Sequence, residues 1–195
     1  MITEGDDPVR HYLDARTFAE CVARTSPDSL GNLLASPGGS FMERRAAATL
    51  LHRAPGCSNS FYVVSMHFLR GAAAETSVSR TLSLDANLDT SLDDGRVERY
   101  LSLTPAFDPE MDDETRAISQ MARCQVASVP SLAQRLLAAE PSSAEEGRWR
   151  VMLQDIVPQC GTFQSADSLV AVTHRAYLAE AFYYWTLSGK PDPLS

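Results

Sequence analysis

The sequence is poor in the features that mark common enzymes and membrane proteins. No hydrophobic run approaches the length of about 18 residues that a transmembrane helix needs, so no membrane span is predicted. The ten glycines form no phosphate-binding loop, and neither H-E-x-x-H nor G-x-S-x-G occurs. We therefore predict no cofactor, and a binding or structural role is favoured over catalysis.

Basic residues are also in the minority, and the imbalance is local. The net charge is −8, which disfavours a nucleic-acid partner because a polyanion would be repelled. Residues 85–114 contain ten acids and two bases, and this difference equals the whole net charge. Part of this segment, 85–95, suggests a calcium loop, but Thr90 and Arg96 occupy the positions that require glycine and glutamate. No metal site is predicted.

The chain reads as two copies of one unit. A shift of 103 residues aligns twelve identical residues over positions 18–57, and these fall on helix caps, apolar positions and cysteines. The pattern predicts an all-α protein of eight to nine helices, arranged as two tandem four-helix repeats with pseudo-twofold internal symmetry. We assign the first repeat to 8–82 and the second to 112–187. An acidic linker with room for a short helix, 83–111, joins them within one globular domain.

Helix boundaries can be read from caps and prolines. The stretches 40–43 and 143–146 have the S-x-x-E pattern of a capping box and predict the start of the third helix of each copy. The helix spanning about 10–24 carries a predicted buried stripe, which consists of Leu13, Phe18, Cys21 and Val22. The segment 96–103 could form the linking helix.

The four cysteines form two pairs with the same spacing of 36 residues, Cys21 with Cys57 and Cys124 with Cys160. The sequence lacks the close C-x-x-C spacing that zinc sites and redox motifs require. Buried free thiols and disulfides both fit the observed spacing. Disulfides explain why each copy retains two cysteines at matching positions. They would imply an oxidising compartment, so a periplasmic or secreted location is favoured, with the cytoplasm as the alternative.

Each copy also repeats one arginine and one glutamate, Arg70 with Glu75 and Arg175 with Glu180. A spacing of five residues does not suit a direct pair on one helix face, which requires three or four. We expect each side chain to find its partner elsewhere, as a buried guanidinium that ties helices together. An anion-binding site is the alternative interpretation.

The second copy differs from the first in ways that suggest an asymmetric site. His174 precedes Arg175, and the aromatic stretch 181–185 ends the last helix. An alternative hypothesis is therefore an enzyme whose site lies between the copies and uses His174, Arg175, Glu180 and Tyr183–Trp185. The aromatic stretch is more typical of a core, of an interface between copies or of a homodimer interface.

Several stretches resemble a group of uncharacterised, exported alphaproteobacterial proteins. The resemblance is carried by the stretches FAECVARTSPDSLGNLLAS and LRGAAAET in the first copy, and MARCQVASVPSLAQRLLAAEP and YLAEAFYYW in the second. It implies export and a duplicated helical fold, and it supplies no known activity. Together these observations predict a disulfide-stapled, non-catalytic binding or structural module for an unknown protein or small molecule.

Overall fold

The structure is a computed structural model that describes residues 7–57, 65–79, 94–105, 111–162 and 167–189. Within these ranges all regular structure is helical, with no strand, which confirms the all-α prediction. The candidate calcium segment and most of the acidic linker lie outside the described residues.

Nine α-helices and two short 3₁₀ turns make up the described chain. The α-helices are α1 (Pro8–Thr25), α2 (Pro27–Ala35), α3 (Phe41–Arg53), α4 (Met66–Ser79), α5 (Asp94–Leu103), α6 (Asp113–Ser128), α7 (Pro130–Ala138), α8 (Ala144–Ile156) and α9 (Ser168–Ser188). The turns span Pro55–Cys57 and Pro158–Cys160. The bounds of α2 and α7, of α3 and α8, and of the two turns each differ by 103 residues, the shift that aligns the sequence.

The capping boxes form with one difference from the expected pattern. Ser40 accepts a hydrogen bond from the backbone N–H of Glu43, as predicted. The Glu43 carboxylate, however, accepts from the N–H of Gly39, one residue before the cap. Glu146 reaches Ser142 in the same way. Gly39 and Ser142 have φ angles of 77° and 61°, so the glutamate stabilises a left-handed backbone that glycine adopts more readily than serine.

The predicted stripe on α1 is wrong at its first position. Leu13 is 39% exposed, whereas its neighbour Tyr12 is fully buried. Tyr12 lies six residues before Phe18 and continues the buried face through Ala15, so the stripe follows the helical period more closely from this position.

The linking helix α5 belongs to the core, and it packs on the aromatic end of α9. The guanidinium of Arg96 lies 4.3 Å from the centroid of the Trp185 ring. Tyr100 is fully buried and meets the same ring edge-on at 5.5 Å. Of the aromatic residues in 181–185, only Tyr183 is not fully buried. The aromatic stretch is therefore internal.

Helices α4 and α9 form the centre of the molecule and cross where Gly71 faces Ala176. A Cβ atom added to Gly71 would lie 2.5 Å from both the Cα and the Cβ of Ala176. Such an approach requires glycine, because neither contact atom belongs to a flexible side chain. Ala176 occupies the position equivalent to Gly71 in the second half, so the two central helices are closest at matching residues.

We expect Gly71→Ala to lower the free energy of unfolding by about 1–3 kcal/mol, because the added methyl overpacks the crossing. The matched control is Gly31→Ala on α2, where no atom lies within 4 Å of the added Cβ. This control should raise stability by up to about 1 kcal/mol, because alanine favours the helix. Urea unfolding of both variants measures the difference. A neutral or stabilising Gly71→Ala would contradict the close crossing.

Candidate functional site

Both predicted disulfides are present. Cys21 is bonded to Cys57 and Cys124 to Cys160, with Cα–Cα distances of 5.7 and 5.4 Å. The first bond ties α1 to the 3₁₀ turn after α3, and the second ties α6 to the turn after α8. This confirms the disulfide interpretation over free thiols or a zinc site.

Arg70 lies buried between α4 and the end of α2. Its Nη1 donates to the carbonyl oxygens of Leu33 at 3.0 Å and Ser36 at 2.8 Å. These carbonyls belong to the C-terminal end of α2, where the helix dipole is negative. The same guanidinium forms a charge-assisted hydrogen bond with Glu180 on α9. Arg70 therefore joins α4, α2 and α9.

Arg175 makes the equivalent set of contacts in the second half. Its Nε and Nη2 donate to the two carboxylate oxygens of Glu75 at 3.0 and 2.8 Å, in a bidentate pair. Its Nη1 and Nη2 also donate to the carbonyl oxygens of Leu136 and Leu137, at the end of α7. The side chain is completely buried.

The two arginines thus exchange partners across the molecule. Arg70 and Glu75 share α4 and do not pair with each other; Glu75 binds Arg175, and Arg70 binds Glu180. We call these four residues the crossed network. The arginine and the glutamate of each helix are five residues apart and do not need to pair with each other. Where α4 and α9 cross, each of them binds a residue of the other helix.

Two further carboxylates, those of the capping boxes, approach the crossed network. Glu43 lies 3.3 Å from Arg70 and Glu146 lies 3.5 Å from Arg175. Burial lowers the pKa of a guanidinium, but the nearby carboxylates outweigh it, and the pKa of both Arg70 and Arg175 is raised. The third helix of each half is therefore tied to the central crossing by the glutamate that caps it.

The pKa values of two carboxyl groups shift in opposite directions. Burial raises the pKa of Glu43, and its contacts with Arg70 and Gly39 offset this only in part. Burial also acts to raise the pKa of Glu180, but the charge and hydrogen bond of Arg70 outweigh it, so the pKa is lowered. Glu180 is therefore the carboxylate more firmly held in its charged form.

Tyrosine hydroxyls complete the surroundings of the crossed network. The hydroxyl of Tyr12 donates to Glu75 at 2.7 Å, and that of Tyr184 donates to the carbonyl oxygen of Leu34. Burial and the neighbouring Glu75 raise the pKa of Tyr12 well above its usual value. These hydroxyls are donors in a packed interior.

His174 points away from its neighbour Arg175. Its Nε2 lies 2.7 Å from Oε1 of Gln125 on α6, and the imidazole is fully buried. Burial, together with the charge of Arg150, lowers the pKa of His174 to about 3. The residues of the alternative enzyme hypothesis all lie on α9. Three of them, His174, Arg175 and Trp185, have no solvent exposure.

The buried histidine predicts a specific loss of stability in mild acid. The unfolded chain protonates a histidine near pH 6.5, whereas native His174 stays neutral until about pH 3, so stability falls as pH drops between these values. From pH 7 to 5 this group should cost about 2 kcal/mol. Urea unfolding at both pH values should show that His174→Gln loses this much less than wild type. A His174→Gln variant that loses as much stability as wild type between the two pH values would refute the prediction.

One contact of the crossed network has no counterpart in the second half of the chain. Arg16 on α1 lies 3.5 Å from Glu75 and 3.7 Å from Glu140, at the edge of a cleft of about 240 Å³ that Glu75 and Ser79 also line. The equivalent of Arg16 in the second half is Ser119, so the repeat pattern does not identify Arg16. Glu75 of the crossed network therefore borders a cleft that is open to solvent.

Comparison of the chain with family models, curated proteins and solved structures found no match. Along the described residues, no helix combines the length and the hydrophobicity needed to span a bilayer. The same residues contain no group of three histidine, cysteine, aspartate or glutamate side chains that could hold a metal ion.

Proposed function

We propose that the protein is an exported, non-catalytic helical module that binds a small molecule or a protein. The observation that carries this proposal is the presence of two disulfides that include all four cysteines. Structural disulfides persist in the periplasm and outside the cell, and are rare in the reducing cytosol. The resemblance to exported helical proteins supports the same location.

The arrangement of the ionic residues supports a structural rather than a catalytic role for them. A catalytic acid or base needs a path to substrate, and a nucleophile needs a base within hydrogen-bond reach. Arg70 and Arg175 instead bond to the ends of α2 and α7 and to carboxylates of the opposite half. These contacts hold the two halves together.

The same contacts support an origin by duplication. In this proposal the two halves derive from one four-helix unit, and a pseudo-twofold axis passes near Gly71 and Ala176. Three observations support it: the disulfides lie at equivalent positions, the capping glutamates make equivalent contacts, and the arginines and glutamates of α4 and α9 exchange partners. Such an axis would place α4 and α9 in equivalent environments.

The compartment can be tested by trapping thiols in intact cells of the native host. Free cysteines are blocked with a permeant maleimide before lysis, and the mass of the purified protein is measured. We expect no adduct, and four adducts when the protein is first unfolded and reduced. Four adducts without reduction would place the protein in a reducing compartment and overturn the proposal.

A further inference from the structure

A second groove lies between α2 and α3, on the outer side of the first half. Its volume is about 290 Å³, and we call it the α2/α3 groove. Met42 and Ala46 contribute apolar surface to it, and the polar side chains of Ser29 and Thr49 line it as well. Two arginines of α3, Arg45 and Arg53, also line the groove.

The equivalent position in the second half is occupied by an indole ring. Trp149 stands where the first half has Ala46, and the guanidinium of Arg135 lies 5.2 Å from its ring centroid. Trp149 is half-buried against the core. The α2/α3 groove is thus open because a small residue replaces a large one.

Part of the polar lining is also particular to the first half. Thr49 corresponds to Met152, and Arg53 corresponds to Ile156, so the second half has apolar residues at these positions. Met152 and Ile156 are exposed on α8. Arg45 is matched by Arg148, so the α2/α3 groove differs from its counterpart in its open space, its Thr49 hydroxyl and its Arg53 guanidinium.

The two arginines are available to a ligand. Arg45 and Arg53 are exposed, and within the described ranges neither forms an ion pair. The only acid on α3 is Glu43, which is buried against Arg70. In a chain of net charge −8, this helix surface is locally positive.

The spacing of the arginines limits the shape of the ligand. Eight residues along a helix place Arg45 and Arg53 about 12 Å apart along the axis of α3. A linear molecule with an anionic group at each end could meet one guanidinium at each end and lay its apolar body over Met42 and Ala46.

We propose that the α2/α3 groove binds a linear organic dianion with an aliphatic body, of the dicarboxylate class. Each arginine would donate charge-assisted hydrogen bonds to one carboxylate. The proposal rests on the binding role proposed above and names the ligand class.

The test is an NMR titration of the oxidised, full-length protein with suberate, succinate and octanoate. We expect suberate to bind about tenfold more tightly than the shorter dianion or the monoanion, with shifts centred on α2 and α3. Arg45→Gln and Arg53→Gln should each weaken suberate binding about tenfold, since each removes a charged hydrogen-bond partner. Ala46→Trp should abolish it by filling the groove.

The matched control is Arg44→Gln, which removes the same charge from α3 outside the groove lining. It should leave suberate binding within about twofold of wild type, as expected for a surface charge. Equal binding of suberate and octanoate, an equal loss in Arg44→Gln, or no binding of suberate would overturn the ligand assignment. None of these results depends on the state of the cysteines. The thiol-trapping experiment therefore tests the proposed export independently of the ligand assignment.

Discussion

Replacement of Arg175 by methionine should lower the free energy of unfolding by about 3–5 kcal/mol. The variant leaves Glu75 buried without its bidentate partner, and it removes the donors to the carbonyl oxygens of Leu136 and Leu137. Methionine fills similar space, so a packing defect would contribute little. Urea unfolding at pH 7 measures the loss.

A double-mutant cycle separates the pair from the rest of the site. Arg175→Met combined with Glu75→Gln should recover part of the stability, with a coupling energy of about 1–3 kcal/mol. The corresponding cycle for Arg70 and Glu180 should give a similar value. A cycle for Arg70 and Glu75 should give a smaller one, although these residues share α4, because each binds the opposite half.

A control for charge alone is available in the same site. Arg16 also approaches Glu75, at 3.5 Å, but its side chain is 23% exposed. Arg16→Met should cost about 1 kcal/mol or less, because Arg16 is partly solvated and Glu75 keeps its bidentate partner Arg175 when Arg16 is removed. Equal losses for Arg16→Met and Arg175→Met would contradict the assignment of the bidentate pair as the main link between halves.

Local features of the fold were predictable because they depend on neighbouring residues. The capping serines and the prolines before Cys57 and Cys160 set helix ends through backbone chemistry that acts over a few positions. The equal spacing of the cysteines favoured the pairing that the structure shows, but the same spacing also fitted buried free thiols.

Tertiary features were less accessible from sequence. The spacing of Arg70 and Glu75 excluded a direct pair, but the exchange with α9 depends on how two helices cross. Gly71 lies at this crossing. The need for glycine there is explained by the close approach of Ala176, which only the structure shows. Comparison of the two halves of the sequence could not identify Arg16, because the aligned position in the second half is Ser119.

The α2/α3 groove was missed for a related reason. The alignment shows Ala46 opposite Trp149, but a change of residue size defines a cavity only when the surrounding helices are in place. The sequence hypothesis placed an asymmetric site on α9, where the second copy is richer in aromatic residues. The structure shows that large side chains fill space there, and that open space is found where the first half has small ones.

Removal of the disulfides should have the other large effect. Each bond closes a loop of 36 residues in sequence, which on the chain-entropy model stabilises the fold by about 3–4 kcal/mol. We expect Cys21→Ala/Cys57→Ala and Cys124→Ala/Cys160→Ala each to lower the melting temperature by about 10 °C. Differential scanning calorimetry of the two variants provides the measurement.

The two losses should add, because the loops 21–57 and 124–160 do not overlap and each bond restricts a separate part of the unfolded chain. Their sum of about 7 kcal/mol approaches the whole stability of many domains, so the variant without cysteines should be largely unfolded at 37 °C. Wild type with both bonds reduced should melt with that variant, which controls for the substitutions themselves. A reduced protein as stable as the oxidised one would contradict this contribution, and the disulfides would then no longer explain how each half of the fold persists.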